Sequence, residues 1–127
     1  RVEHTLALAA LIQAMVREMA EHFDSGKQFS DYPYPMLDEN KWLAARHGLN
    51  GELVDLPSEQ RVPTRQLARR LVDRLRPHAQ DLGGESDLEG ILDLLERGNG
   101  ATRQLRVFEA NGDMGEVMAE IVAASGA

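Results

Sequence analysis

The 127-residue sequence predicts a mainly α chain of five to six packed helices carrying one short β-hairpin. Three observations predict it. Apolar residues recur every three or four positions along most of the chain. Cap and stop residues bracket those runs. Only one stretch, ELVDL to QRVPT around a Pro-Ser-Glu turn, reads as paired short strands.

Leu8, Ile12, Met15, Met19 and Phe23 sit at helical spacing, which places them on one apolar face of a helix from about Glu3 to Phe23. Asp24, Ser25 and Gly26 end it, and KQFSDYPYP, with two prolines and both tyrosines, reads as a loop. Asp38 is placed to cap a short helix through Trp42 to about His47, with Gly48 as its stop. After the hairpin, Pro63 and Thr64 open the clearest helix, with Leu67, Leu71, Leu75, Ala79 and Leu82 on one face. Pro77 falls inside it and predicts a kink or break. Ser86 with Glu89 forms a capping-box pattern before Leu88, Ile91, Leu92 and Leu95, and Gly98 stops that helix. Thr102 to Ala110 predicts another helix, closed by Asn111-Gly112. Asp113 with Glu116 is a looser capping box leading into Val117, Met118, Ile121 and Val122. No fixed-period repeat or long linker divides the chain, so residues 1–127 are expected to form a single helical domain.

Composition narrows the function. Apolar residues make up 43% and charged residues 28%, the balance of an ordinary soluble domain. No run approaches the roughly 18 apolar residues of a membrane span. The absence of cysteine removes disulfides and thiol chemistry and fits a reducing cytoplasm. A net charge of −7 argues against bulk binding to nucleic acid or an anionic membrane. The first residue is Arg1, and apolar periodicity starts at once, which reads as a helix cut from a longer chain rather than as a leader peptide.

Three segments carry candidate chemistry. Arg61, Arg65, Arg69, Arg70, Arg74 and Arg76 face one acid, Asp73, within residues 61–76, six positive charges against one negative for a local +5. Such a run is an anion site or a solvated face paired with neighbouring acids, and the second is the commoner outcome. In ENKWLAARHG, Asn40, Lys41, Trp42 and Arg46 gather amide, cationic and aromatic groups, with Trp42 and Arg46 one helical turn apart. They suit a substrate clamp, with Arg46 on a carboxylate or phosphate, or a helix anchored in the core by Trp42. In GNGATRQ, two glycines precede a helix whose first amides can meet an anion, and Arg103 in that first turn calls for an anionic neighbour. A tight interhelical turn is the plainer reading. The Lys-Ser or Lys-Thr of a phosphate-binding loop is missing. His4, His22, His47 and His78 show no metal-binding spacing, so no histidine metal site is expected. The serines lack a GxSxG setting.

VEHTLALAALIQAMV, ENKWLAARHGLNGELVDL, VPTRQLARRLVDRLRPHAQDLG and GNGATRQLRVFEANGD, in that order, resemble the C-terminal part of the glutamate–cysteine ligase-like carboxylate–amine ligases of bacteria and archaea. The resemblance covers nearly the whole chain. It implies the helical part of a glutamine synthetase-like α+β fold and an ATP- and Mg²⁺-dependent ligase that activates the glutamate side-chain carboxylate for attack by an amine, typically that of cysteine. It further implies that Asn40, Lys41 and Arg46 border the substrate, that Arg103 and Gln104 border the nucleotide, and that the metal ligands and catalytic strands lie in an N-terminal sheet, leaving no catalytic residue and no metal ligand here. Lys41 stands where relatives often have Arg, and His47 where they often have Tyr. On that reading the partners are ATP, glutamate, an amino-acid amine and the N-terminal sheet portion, and the chain alone is inactive. The rival expectation is a non-catalytic interaction or oligomerisation module. The ligase reading requires ENKWLAARHG and GNGATRQ to converge on one concavity; the rival requires them apart, with Leu8 and Ile12 facing a neighbouring chain or a second copy.

Overall fold

The computed structural model describes residues 2–126. In chain order it contains α1 (Val2–Asp24), α2 (Tyr34–His47), a 3-10 turn (Gly48–Asn50), β1 (Glu52–Asp55), β2 (Gln60–Pro63), α3 (Thr64–Asp81), α4 (Glu85–Arg97), α5 (Gly100–Asn111) and α6 (Met114–Ala124). The fold is therefore mainly α with one antiparallel hairpin, in which Leu53 faces Val62 and Val54 faces Arg61.

The core is a three-helix layer in which α1, α3 and α4 pack pairwise. Its largest fully buried side chains are Val72 and Leu75 from α3, and Leu88 and Leu95 from α4. The face that α1 turns toward them consists of Ala7, Ala10 and Ala14, with Leu11 packed at its edge. These positions repeat at three and four, so they form a stripe of small residues along one side of the helix. Small side chains let helix axes approach closely. At the contact with α4 the partner is Gly90, where an added Cβ would stand 3.0 Å from the Cβ of Ala7. The row of larger residues expected as the buried face of an amphipathic helix points elsewhere: Leu8, Ile12, Met19 and Phe23 are all exposed, Phe23 at 76%. The reason is steric. Leucine- and isoleucine-rich faces of α3 and α4 already fill the centre, and only alanines fit against them.

Local chemistry explains the other departures from expectation. α2 begins at Tyr34, four residues before Asp38, because Pro33 takes the N-cap position and Pro35 lies in the first turn. Proline's fixed φ suits that turn, and its missing N–H is one that a helix start leaves unpaired in any case. Asp38 is inside the helix and pairs with Lys41 at 3.3 Å. α3 runs through Pro77 to Asp81 rather than breaking there. Pro77 is on the solvent side, where water can reach the carbonyl it leaves unpaired, while Leu75 and Ala79 hold the opposite side in the core. α4 starts at Glu85 with Gly84 as N-cap and no side-chain cap, so the Ser86–Glu89 box does not form. Glu89 is drawn across to α3 instead, accepting from Arg76 Nε and Nη2 at 2.9 and 2.8 Å. Of the Asp113–Glu116 box only the cap forms among the described residues, with Asp113 accepting from the Gly115 amide and no return bond from Glu116, while Gly112 closes α5 as expected in the left-handed region at φ 66°.

In this chain, Leu75→Ala and Leu88→Ala are each expected to cost about 2–5 kcal/mol of unfolding stability in urea titrations. Ile12→Gln is expected to stay within about 0.5 kcal/mol, because it lies on the exposed face.

Candidate functional site

The site begins with how α2 is held. The side chain of Asn40 meets the backbone of Val54 with both of its ends: Nδ2 donates to the Val54 carbonyl at 2.8 Å, and Oδ1 accepts from the Val54 amide at 2.7 Å. An amide side chain here replaces a third strand. Val54 belongs to the outer edge of β1, and its N–H and C=O point away from β2, where they would otherwise lack protein partners. The pairing ties α2 to the hairpin in one orientation, with Leu43 as the buried contact of α2. At the other end of the hairpin, the Thr64 amide donates to the Gly51 carbonyl, joining the 3-10 turn to the start of α3.

So oriented, the C-terminal end of α2 and the 3-10 turn form one wall of a cleft of about 410 Å³, and α5 forms the other. Arg46, His47 and Asn50 come from the first wall; Thr102, Arg106 and Glu109 come from the second. On α5 these three fall at intervals of four and three, hence on one face. The start of α5 is organised by Asn99, whose Oδ1 accepts from both the amide and the hydroxyl of Thr102 at 3.0 Å. Gly98, at φ 86°, permits the turn before it. The two segments singled out in the sequence, ENKWLAARHG and GNGATRQ, therefore do converge on one concavity.

The individual residues divide. Arg46 lines the cleft, is exposed, and forms no ion pair among the described residues. Asn40 lies away from the cleft, with its amide committed to Val54. Lys41 is exposed, paired with Asp38 and 5.4 Å from the centre of the Tyr34 ring. Arg103 turns toward α6, where Glu120 supplies the anionic neighbour its position demanded, at 3.2 Å. Gln104 borders an apolar hollow with Phe108 and Met114 rather than the cleft. Trp42 is 59% exposed and meets His47 edge-on, with ring centres 6.0 Å apart, so it is not the core anchor.

Arg106 and Glu109 are not among the residues that sequence alone singles out. Their spacing from Thr102 places them on one face of α5, but that acquires meaning only once the face turns toward α2. The arginine-rich run is mostly spent on structure. Arg61 pairs with Glu39, Arg65 with Asn50, Arg74 with Glu18, and Arg76 with Glu89 and Asp73. The bonds to Glu89, then those to Asp73, raise the pKa of Arg76 above its usual value. Among the described residues no group of three or more His, Asp or Glu is placed to hold a metal ion. The described residues therefore form no all-protein magnesium cage. No helix among the described residues is long and apolar enough to cross a membrane.

Comparison with known proteins adds a family. The sequence pattern of glutamate–cysteine ligase family 2 matches residues 1–120. A relative from Rubrobacter xylanophilus, named "putative glutamate–cysteine ligase 2-1", is 41% identical over 121 residues, which is 95% of this chain and 32% of the relative. Proteins named "putative glutamate–cysteine ligase 2" from Solibacter usitatus and Sorangium cellulosum are 37% and 35% identical over 93% and 85% of this chain. The chain spans about a third of the length of these curated relatives. No solved structure matches it.

Asn40→Leu is expected to destabilise the chain by about 1–3 kcal/mol, by stranding the Val54 amide and carbonyl. Hydrogen exchange at the Val54 amide should accelerate with it. Lys41→Ala is expected to stay within about 0.5 kcal/mol in the same measurement, because its ion pair is at the surface.

Proposed function

Because the chain belongs to glutamate–cysteine ligase family 2, we propose that it is the helical C-terminal part of an ATP-dependent ligase that joins the glutamate side-chain carboxylate to an amine, cysteine being the first candidate. In that reaction the γ-phosphoryl group of ATP passes to the carboxylate and ADP leaves. The amine nitrogen then attacks the acyl carbon, phosphate departs, and the nitrogen loses a proton. A positioned substrate and stabilisation of the developing phosphoryl charge are what such a reaction asks of a protein.

The observation that carries the reading is the convergence of α2 and α5 on one cleft with Arg46 in its wall. Arg46 is the residue of the proposed set best placed to hold an anionic group of substrate or nucleotide. Asn40 supports it from behind by fixing the orientation of α2, while Lys41, five residues before Arg46, is paired with Asp38 and has at most a peripheral part. Arg103 contributes by holding α5 on α6 through Glu120, and Gln104 borders the hollow on the same side, so any part they take in nucleotide binding is indirect. Magnesium ligands and the remaining catalytic groups belong, in this proposal, to an N-terminal sheet portion, consistent with a chain that spans about a third of its relatives. By itself the chain is inactive. The proposed setting is cytoplasmic, and nucleic acid is not among the proposed partners.

A second reading rests on a separate observation. The exposed row Leu8, Ile12, Met19 and Phe23 on α1 is the kind of apolar surface that marks an association face. In the ligase that face is covered by the N-terminal portion. In a helical interaction module it meets a partner or a second copy.

The test is an ADP-release assay on the natural gene product, with its intact mass measured alongside. A product longer than this chain that releases ADP only when glutamate, an amine such as cysteine, and magnesium are all present is the expected result. A product of these residues alone, silent with every amine, would leave the interaction module as the function.

A further inference from the structure

We propose that Arg106 is the second half of a two-arginine oxyanion clamp, closing on the same group as Arg46 from the opposite wall of the cleft between α2 and α5. The inference deepens the ligase reading and depends on it only for the role of the bound group in a reaction; binding itself rests on the cleft.

The argument starts from the helix. Thr102, Arg106 and Glu109 occupy one face of α5, and all three line the cleft, as Arg46 does from the end of α2. Of the twelve arginines, Arg17, Arg61, Arg74, Arg76, Arg97 and Arg103 are each paired with a carboxylate, and Arg65 bonds to Asn50. Arg46 and Arg106 form no ion pair among the described residues, although the chain carries 21 acidic side chains. Two unpaired guanidiniums on facing walls of one concavity are an arrangement that like-charge repulsion disfavours, and an oxyanion between them relieves it. The start of α5 adds partial positive charge on the same side, since Asn99 caps the Thr102 amide and leaves the first amides of the helix free of a side-chain cap.

Glu109 sets a limit on that field. It stands one turn beyond Arg106 on the cleft face, and no ion pair joins the two. Its carboxylate opposes an incoming anion, so the clamp is selective for a group that both arginines can grip at once. Phosphate and carboxylate share that chemistry, as planar guanidinium donors serve either. Within the ligase the first would be a phosphoryl group of the nucleotide and the second a carboxylate of glutamate.

The experiment is calorimetric titration of the full natural polypeptide, at low ionic strength and without magnesium, with sodium tripolyphosphate in one arm and sodium glutamate in the other. Arg46→Gln and Arg106→Gln are each expected to weaken the anion that binds by about tenfold, the loss of one charge-assisted contact. Glu109→Gln is expected to tighten it, an effect opposite in sign that unfolding cannot imitate. The arm that shows these changes identifies the group. Absence of binding in both arms, or affinities indifferent to Arg106→Gln and Glu109→Gln, overturns the clamp. ADP release measured on the same samples separates the two ideas. Binding that follows this pattern without amine-dependent ADP release removes the ligase and keeps the clamp. ADP release with anion affinity indifferent to Arg106→Gln does the reverse.

Discussion

The close approach of α1 to α3 and α4 across a stripe of alanines is the constraint on which the rest of the fold depends. Ala7, Ala10 and Ala14 are short enough to let the leucines of α3 and α4 fill the centre, and Gly90 removes the last Cβ that would hold the helices apart. The consequence is an inverted amphipathic helix. α1 spends its small residues on the core and leaves its large ones, Leu8, Ile12, Met19 and Phe23, in the open. Much of the hydrophobic free energy available to α1 is thus unspent within this chain, since the gain follows the apolar area removed from water.

A second constraint acts where the hairpin meets α2 and α3. The two-stranded hairpin is too small to stand alone, and its outer edge presents an amide and a carbonyl at Val54. Asn40 satisfies both at once and fixes α2 against the hairpin. The hairpin is in turn joined to α3 through Gly51 and Thr64, so the core, the sheet edge and the end of α2 form one connected frame. The cleft inherits its geometry from this frame on one side and from the α5–α6 pair on the other, where the Arg103–Glu120 bridge and buried Val117 join the two helices.

Charge follows the same division of labour. The arginine-rich stretch from β2 into α3 draws attention as an anion site, but Glu18, Glu39, Glu89 and Asn50 take up four of its members. These contacts stitch α3 to α1, α4 and the 3-10 turn, and β2 to α2. The cations left to face a concavity belong to α2 and α5, in segments where arginine is sparse. Local density of charge is therefore a poor guide to binding in this molecule, because a dense run is also what a helix packed among acidic neighbours needs.

The helical class, the hairpin, the stops at Gly48, Gly98 and Gly112, and the family itself were legible in the sequence. Each depends on interactions between residues within a turn or two of one another, or on the order of motifs along the chain. The turn before α5 and the cap at Asp113 follow from the same local logic. Which face of α1 is buried, whether Glu89 caps its own helix or reaches α3, and whether Asn40 meets a ligand or Val54 were decided only by the tertiary structure. In each of these cases the competing partners lie on different elements, and periodicity cannot rank a contact within a helix against one across helices. Arg106 shows the same limit in the site. Its spacing from Thr102 put the two on one face of α5, and only the packing of the molecule turned that face toward Arg46.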